Sequence, residues 1–270
     1  MTLPFQAIAF DIDATFVRDD KSYDRIRFER LLTAFEERGV KMIVASGNQY
    51  ECLANYFPAT MEHLTFVSEN GAHLVSQGKS LVEKTVNPDT ARDVIAFLCQ
   101  DLNLTPSLSG TKHGYIYAGL DKTILARQKF YFPNHVLVTD YQDLPEDNYY
   151  QLSFLLDAKQ IDQQLAAVNE RFGSLVRITP SGNGSVDITV PGINKATALS
   201  DLLNSWGLTG DNLIAFGDGG NDVEMLKLAK FGYAMQNAGP AAIAAANHRT
   251  PLDNNHDGVL DVLESYLDNN

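Results

Sequence analysis

The feature that most restricts the fold of this chain is an apolar run that ends in two aspartates near the start of the sequence. Residues 6–10 read Gln-Ala-Ile-Ala-Phe without polar alternation, which is typical of a strand buried on both faces of a parallel sheet. Asp11 and Asp13 follow, and alternation along an extended chain points both side chains to one side. Functional loops sit at the carboxyl ends of such strands, and two like charges there need a compensating cation. Taken alone, a strand followed by an ordinary acidic turn is the alternative interpretation.

A strand–helix rhythm continues after this run and predicts a doubly wound α/β sheet. Helix, strand, helix and strand are expected in turn at 23–38, 41–45, 49–57 and 64–67. Right-handed crossovers then place the strand ends on one edge of the sheet. The alternation of helices and strands resumes late in the chain, with elements predicted at 194–206, 212–216, 222–229, 231–235 and 259–267.

The middle of the chain has a different pattern. Predicted helices alternate there with amphipathic strands; the helices are at 88–102, 122–131 and 159–172, and the strands near 115 and at 149–155, 175–179 and 186–190. This mixture favours a mostly antiparallel sheet with one covered face. A chain that leaves a doubly wound domain and comes back to it carries an inserted domain. We therefore predict a Rossmann-like α/β core at 1–82 and 190–270, with an α+β cap at 83–189.

The net charge of the chain limits the kinds of partner that it can bind. The 270 residues carry a formal charge of -13, which opposes binding to nucleic acid or to an anionic membrane. An anionic substrate must therefore be held by local positive charge, from a metal ion, a lysine or backbone N–H groups. Cys52 and Cys99 lie in apolar surroundings that suit free thiols. Because no signal peptide or membrane-spanning run is evident, we expect a cytoplasmic protein, a monomer or weak homo-oligomer acting on a small metabolite.

A second turn rich in carboxylates follows one of the late strands. Residues 217–222 read Gly-Asp-Gly-Gly-Asn-Asp, where the glycines permit close backbone approach and Asp222 suits a helix start. On one sheet edge, Asp11, Asp13 and Asp218 would supply the hard oxygen ligands that Mg²⁺ takes alongside water and phosphate oxygens.

The same residue types suit phosphoryl transfer. Asp11 can attack phosphorus to form an aspartyl-phosphate. Asp13 can protonate the leaving alkoxide and then deprotonate the attacking water. Thr15, Ser46 and Lys195 can hold the transferring oxygens, a largely electrostatic task. A lone lysine at such a helix start is, however, more often exposed to solvent.

The order and spacing of these groups resemble the haloacid dehalogenase-like (HAD) phosphatases, in the Cof-type branch with a C2-type cap. Residues 11–15, Asp-Ile-Asp-Ala-Thr, match the first motif of that family, Asp-x-Asp-x-Thr. Ser46, Lys195 and residues 217–222 stand in for the second, third and fourth motifs. Further segments look most like the bacterial sugar phosphatases of this branch, namely 46–50, 69–71, 182–185 and 191–195.

The resemblance implies a role for each matched residue. Asp11 would be the nucleophile and Asp13 the general acid/base, while Mg²⁺ would be held by the Asp11 carboxylate, the Asp13 backbone carbonyl and Asp218. Asp222 would orient Lys195 or a metal-bound water. The groups expected to bind phosphate or substrate are Thr15, Ser46, Gly47, Asn48, Lys195 and Asn221.

Two departures from the family pattern stand out, and the cap adds two candidates. Ala14 replaces the commoner glycine, which needs only a backbone angle that alanine can reach. Asn48 replaces an arginine of many relatives, so phosphate or leaving-group contacts are expected to differ.

In the cap, Asn183 and Asp187 lie shortly before the chain returns to the core, and we expect them to contribute to substrate specificity.

The leading hypothesis is a Mg²⁺-dependent phosphatase of small sugar phosphates. The alternatives are a phosphatase of phosphorylated cofactors such as flavin mononucleotide or pyridoxal phosphate, and a sugar-phosphate phosphomutase. A non-catalytic receiver-like signalling protein also uses an acidic cluster, a hydroxyl and a lysine, but it needs no inserted cap.

The last segment offers a different possibility. Residues 253–264 fit the EF-hand calcium-loop expression, which would make this a calcium-binding protein. Pro251 interrupts the incoming helix that an EF-hand requires, so the alternative is an Asp-Gly turn that starts the last helix.

Overall fold

The computed structural model describes residues 3–156, 161–182 and 184–268, and within them two β-sheets organise the chain. The first sheet has eight strands, which in chain order are Ala7–Phe10 (β1), Lys41–Ala45 (β2), Thr65–Ser68 (β3), His73–Ser76 (β4), Lys79–Glu83 (β5), Leu213–Gly217 (β12), Phe231–Ala234 (β13) and His248–Arg249 (β14). The second has six, which are Ser107–Gly110 (β6), Gly114–Tyr117 (β7), His135–Val138 (β8), Tyr149–Leu155 (β9), Arg177–Gly182 (β10) and Ser185–Thr189 (β11).

The first sheet has the spatial order β14-β13-β12-β1-β2-β3-β4-β5. Its strands from β14 to β3 run parallel, with Ala7 of β1 paired to Leu213 on one side and Lys41 on the other. The strands β1, β3 and β12 are buried along their whole length, as continuous apolar runs in a parallel sheet require. The predicted doubly wound α/β fold is therefore confirmed, and the carboxyl ends of β1, β2, β3 and β12 share one edge.

Helices flank this sheet close to their predicted positions. They are Arg25–Glu36 (α1), Tyr50–Tyr56 (α2), Lys195–Ser205 (α6), Val223–Leu228 (α7), Pro240–Ala245 (α8) and Gly258–Asp268 (α9). The start of α1 is capped by Asp24, whose side chain accepts a hydrogen bond from the Arg27 N–H, and the chain turns away at Gly39 with φ +73°. Among the described residues, none of the helices has the length and apolar character needed to cross a bilayer.

The hairpin formed by β4 and β5 is absent from the sequence prediction. Gln77 and Gly78, with φ +51° and +68°, join the two strands in a two-residue turn of the kind that matches strand twist. Because β5 is an edge strand with mostly exposed residues, it lacks the apolar run by which the parallel strands were recognised. The hairpin adds two antiparallel strands to the sheet and leads the chain into the middle region.

The second sheet has the order β10-β11-β9-β6-β7-β8 and is antiparallel except at the β7–β8 pair. This confirms the prediction of a mostly antiparallel sheet. The helices of this region are Pro88–Gln100 (α3), Lys122–Tyr131 (α4) and Ile161–Phe172 (α5). The predicted first residues of the last helix, 159 and 160, lie outside the described residues. Strand β6 was missed because its sequence, Ser-Leu-Ser-Gly, is too polar for a buried strand to be recognised.

The EF-hand-like segment forms a turn and the start of α9. Asp257, with φ +56°, precedes Gly258, and its Oδ2 accepts a hydrogen bond from Arg18 at 2.6 Å. Glu264 accepts hydrogen bonds from Arg27 and Arg30. Asp257 and Glu264 are thus partners of arginines and Asp253 is a partner of His256, and within the described residues these carboxylates do not converge as a group that could hold a metal ion. The structure favours the Asp-Gly turn over the calcium loop.

Candidate active site

A sharp turn after β1 places the first motif at the edge of the sheet where the carboxyl ends of β1, β2, β3 and β12 lie, which we call the site edge. Ala14 adopts φ +57° and ψ 7°, which is the left-handed angle expected where relatives carry glycine. Its carbonyl oxygen accepts a hydrogen bond from Asn237 Nδ2 at 2.8 Å. The turn leaves Asp11 almost buried and Asp13 half-buried.

Lys195 lies at the centre of the site and is completely buried, so it is not the solvent-facing lysine that its position could suggest. Its Nζ is 2.7 Å from Asp11 Oδ1 and 2.6 Å from Asp222 Oδ1. Burial lowers the pKa of the lysine, but the two carboxylates outweigh burial and raise the pKa overall. The lysine reaches this point because α6 begins with a capping box between Asn194 and Thr197.

Asp222 holds both Lys195 and the loop after β12. Its Oδ2 accepts the backbone N–H groups of Asp218 and Gly219, each at 2.9 Å. Gly217 makes this approach possible, because a Cβ there would lie 2.5 Å from the Asp222 Cβ. Asp222 thus lies within hydrogen-bond distance of Lys195, the residue that it is predicted to orient.

Three carboxylates converge beside this lysine. Oxygen atoms of Asp11, Asp218 and Asp222 all lie within 4.8 Å of one another. Burial raises the pKa of Asp11 well above its usual range despite the attraction of Lys195. Burial, followed by repulsion from Asp222, raises the pKa of Asp218 to about 6. Three acids with one lysine leave excess negative charge, so the donor set fits a hard divalent cation.

Thr15 contacts one of the carboxylates of this cluster. Its Oγ1 donates to Asp218 Oδ1 at 2.9 Å, and its side chain is buried. The hydroxyl predicted to bind phosphate therefore orients a carboxylate of the cluster in this structure.

Asp13 is held by groups from three parts of the chain. Asn48 Nδ2 donates to its Oδ2 at 2.7 Å, Lys21 forms an ion pair with its Oδ1, and Tyr131 Oη lies 3.4 Å from the same oxygen. Asn48 was predicted as a site residue, whereas Lys21 and Tyr131 were not. Lys21 lies in a loop at φ +67° and Tyr131 ends α4, so neither carries a local sequence signal.

The loop after β2 meets the second sheet. Ser46 is buried, and its Oγ accepts the Asn48 N–H at 3.3 Å. The carbonyl oxygen of Gly47 accepts a hydrogen bond from Gln151 Nε2 of β9 at 3.0 Å.

Asn221 joins the same contact region. Its Nδ2 donates to Asn70 Oδ1 at 3.0 Å, and Asn70 Nδ2 donates to Gln151 Oε1 at 2.8 Å and to Asp187 Oδ2 at 2.9 Å. Asp187 is buried between the two sheets. The other predicted cap residue, Asn183, lies outside the described residues. Asn70 and Gln151 were not identified as site residues from the sequence.

A cleft of about 510 Å³ opens between α2, α4 and the loop around residue 21, and one of its lining residues, Lys21, forms an ion pair with Asp13. We name it the α2–α4 cleft. Its lining combines cationic and aromatic side chains, notably Lys21, Arg25, Lys129, Tyr23, Tyr56 and Phe130. A larger hollow of about 770 Å³ lies near Lys41 and Thr65, at the amino ends of β2 and β3, and therefore at the opposite edge from the site.

Comparisons with known proteins show the family of this chain. A family model of haloacid dehalogenase-like hydrolases matches residues 8–263. The 5-amino-6-(5-phospho-D-ribitylamino)uracil phosphatase YbjI of Escherichia coli K12 is 35% identical over 98% of this chain and 97% of its own length. An HMP-PP phosphatase of Klebsiella pneumoniae is 25% identical over 97% of this chain and 95% of its own.

The solved structures show the same fold. The crystal structure of SMU.1108c from Streptococcus mutans UA159 superposes with a TM-score of 0.93 at 39% sequence identity, covering 98% of this chain and 99% of that one. Family model, relatives and structure each span nearly the whole chain, and the relatives are phosphatases by name. The chain belongs to the haloacid dehalogenase-like hydrolases, in their Cof-type phosphatase branch.

Proposed function

We propose that this phosphatase is Mg²⁺-dependent and hydrolyses small phosphorylated metabolites through an aspartyl-phosphate on Asp11. The observation that carries the proposal is the buried Lys195 between Asp11 and Asp222, with Asp218 in the same carboxylate cluster. Lys195 engages Oδ1 of Asp11, which leaves Oδ2 to attack phosphorus. Lys195 favours the ionised form of Asp11 that a nucleophile requires, against the opposing effect of burial on the pKa of that carboxyl.

The side chains then divide the reaction between them. Asp11 Oδ2 forms a bond to phosphorus while the bond to the leaving oxygen breaks, and Asp13 gives its proton to that oxygen. In the second step Asp13 takes a proton from water, whose oxygen attacks phosphorus and releases phosphate and Asp11. Lys195 and the second N–H of Asn221 stabilise the charge on the transferring oxygens.

The metal would be held by the Asp11 carboxylate, the Asp13 backbone carbonyl and Asp218. When bound, Mg²⁺ would neutralise charge on the phosphoryl group. The remaining predicted phosphate-binding groups are Thr15, Ser46, Gly47 and Asn48. Support comes from Thr15 and Asn48, which lie within hydrogen-bond distance of Asp218 and Asp13, and from Ser46, which accepts the Asn48 N–H.

We also propose the division into a core at 1–82 and 190–270 and a cap at 83–189. The two separate sheets support it, since the chain leaves the first sheet at the end of β5 and returns to it through α6 and β12. A cytoplasmic location and a monomeric or weakly oligomeric state stay predictions from the sequence.

For the substrate, sugar phosphates remain our first proposal, because the motif segments resemble those of sugar phosphatases. A second candidate is a phosphorylated compound with a planar ring in its leaving group. Two observations favour it: the aromatic and cationic lining of the α2–α4 cleft, and the name of the E. coli relative. Tyr56 lines this cleft, and its buried hydroxyl has no hydrogen-bond partner among the described residues.

Phosphate release from a substrate panel tests the proposal. The panel contains hexose phosphates, flavin mononucleotide, pyridoxal phosphate and the phosphorylated ribitylaminouracil, each with Mg²⁺ or with a chelator. We expect turnover that requires Mg²⁺ and is lost in Asp11→Asn. Preference for the ring-containing compounds would select the second candidate, and isomerisation without free phosphate would indicate a mutase. Turnover that persists in chelator or in Asp11→Asn would overturn the proposed mechanism.

A further inference from the structure

The turn that carries Asn70 is held in one conformation by its backbone and by α6. Glu69, Asn70 and Gly71 all have positive φ, at +47°, +55° and +99°, which two non-glycine residues adopt only when the surroundings stabilise it. A Cβ on Gly71 would lie 2.5 Å from the carbonyl oxygen of Asn194, the residue before Lys195. The turn therefore packs directly on the helix start that presents the catalytic lysine.

The Asn70 side chain makes three hydrogen bonds in a buried position. Its one amide oxygen accepts from Asn221, and its nitrogen donates to Gln151 and to Asp187. Rotating the amide by half a turn would set its nitrogen against the Asn221 nitrogen and its oxygen against the Asp187 carboxylate. One orientation is therefore strongly preferred, and it directs one Asn221 N–H toward Asn70.

The partners of Asn70 in the second sheet are themselves connected. Ser153 Oγ donates to Asp187 Oδ1 at 2.7 Å, and Gln151 Nε2 donates to the Gly47 carbonyl oxygen at 3.0 Å. The loops of the core after β2 and after β3 thus both bond to Gln151 of β9, and the loop after β3 also bonds to Asp187 of β11. These bonds exist only while the second sheet faces the core.

We propose that Asn70 is a positioning residue, which couples the closed arrangement of the cap to the orientation of Asn221 at the phosphoryl site. With the cap in place, Asn70 is fixed and offers Asn221 one acceptor in one direction. With the cap away, the Asn70 amide turns freely in water and Asn221 loses that constraint. The cap thereby promotes the chemical step without touching the phosphoryl group. The kinetic consequence rests on the proposed contact of Asn221 with that group, whereas the coupling itself does not.

Another contact between the sheets provides a matched control. Ser109 of β6 accepts a hydrogen bond from Gln49 Nε2 at 2.9 Å and donates to Glu69 Oε1 at 3.2 Å. It is as buried as Asn70, and its hydrogen-bond partners are not residues proposed to contact phosphate. Ser109→Ala therefore removes contacts between cap and core without breaking the chain of hydrogen bonds to Asn221.

The test is an exchange of the paired side chains. Asn70→Asp sets two carboxylates against each other, and we expect kcat to fall about 10- to 100-fold, as for the loss of one to two well-placed hydrogen bonds. The carboxylate of this variant can still accept from Asn221, and adding Asp187→Asn restores an amide–carboxylate pair, so kcat should recover at least about tenfold. Ser109→Ala should change kcat less than about threefold.

A second readout does not depend on activity. The side-chain amide resonance of Asn221, assigned with Asn221→Ser, should shift in Asn70→Asp and return toward its original position in the double variant. A change in KM alone would overturn the coupling. An Asn221 resonance that shifts in neither the single nor the double variant would also overturn it. Absence of phosphate release from the wild type would instead count against the proposed function, and the resonance would still decide the coupling.

Discussion

The site edge of the core sheet and the cap surface that covers it are built in different ways. On the core side, Lys195 is buried between Asp11 and Asp222, so charge dominates the energetics. On the cap side, most polar contacts with the core are hydrogen bonds of Ser109, Gln151 and Asp187, and Arg177 adds an ion pair with Glu224 of α7. The core therefore sets the chemistry by charge, while the cap is positioned by directional hydrogen bonds. Substitutions on the two sides should therefore have different effects on stability and activity.

The strongest test of this contrast is Lys195→Met. It leaves Asp11 and Asp222 buried without their cation, so we expect the free energy of unfolding to fall by about 3–5 kcal/mol and phosphatase activity to disappear. Denaturant titration and phosphate release measure the two effects. The exposed Lys227→Met is the control. Adding Asp222→Asn should recover part of the stability and none of the activity, whereas unchanged stability in Lys195→Met would contradict the charge-dominated core.

Glu69 refines the comparison, because it is an ionisable residue buried among the hydrogen bonds between the two sheets. Burial raises its pKa from 4.5 to about 8, and Ser109 of the cap only partly opposes this. Between these two pH values the unfolded chain loses the proton that the folded protein keeps, so stability should fall as pH rises from about 4.5 to about 8, by up to about 1.4 kcal/mol per pH unit.

The matching variant is Glu69→Gln. It should flatten this part of the pH dependence and stabilise the protein at pH 8 more than at pH 5, as followed by thermal unfolding. The exposed Glu37→Gln serves as the control and should leave the slope unchanged. The same slope in Glu69→Gln as in wild type would show that Glu69 is already ionised in the folded protein.

The smallest effect is expected where a cap hydroxyl meets a core carboxylate. Tyr131→Phe removes the hydroxyl 3.4 Å from Asp13 while Lys21 and Asn48 still hold that carboxylate. We expect kcat/KM to fall about two- to fivefold, since a long hydrogen bond contributes little. Tyr117→Phe, elsewhere in the cap, is the control. A loss above about a hundredfold would mean that the cap takes part in proton transfer.

The same contrast explains what could be predicted from the sequence. Asp11, Ser46 and Asp218 each follow a buried strand directly, so local pattern and the rule for parallel crossovers place them together. The bonds of Asn70 to Gln151 and Asp187 span 81 and 117 residues, and no local pattern marks them. They depend on how two sheets face each other, which a single sequence does not encode in any short segment.

Strands made of polar or exposed residues were not predicted from the sequence, for a related reason. The segments of β5 and β6 carry too few apolar residues to predict a strand, although both pair in the structure. Lys21 was missed because its loop position depends on a left-handed backbone angle at a residue type that gives no such signal.

The most direct test of the central claim is to trap the covalent intermediate. A single turnover with the best substrate of the panel and Mg²⁺ is quenched in acid, and the peptide that contains Asp11 is analysed by mass spectrometry. The account predicts one added phosphoryl group on Asp11, formed at least as fast as phosphate is released and absent in Asp11→Asn. Phosphate release at the full rate with Asp11 unmodified throughout, or a phosphoryl group on another residue, would contradict it.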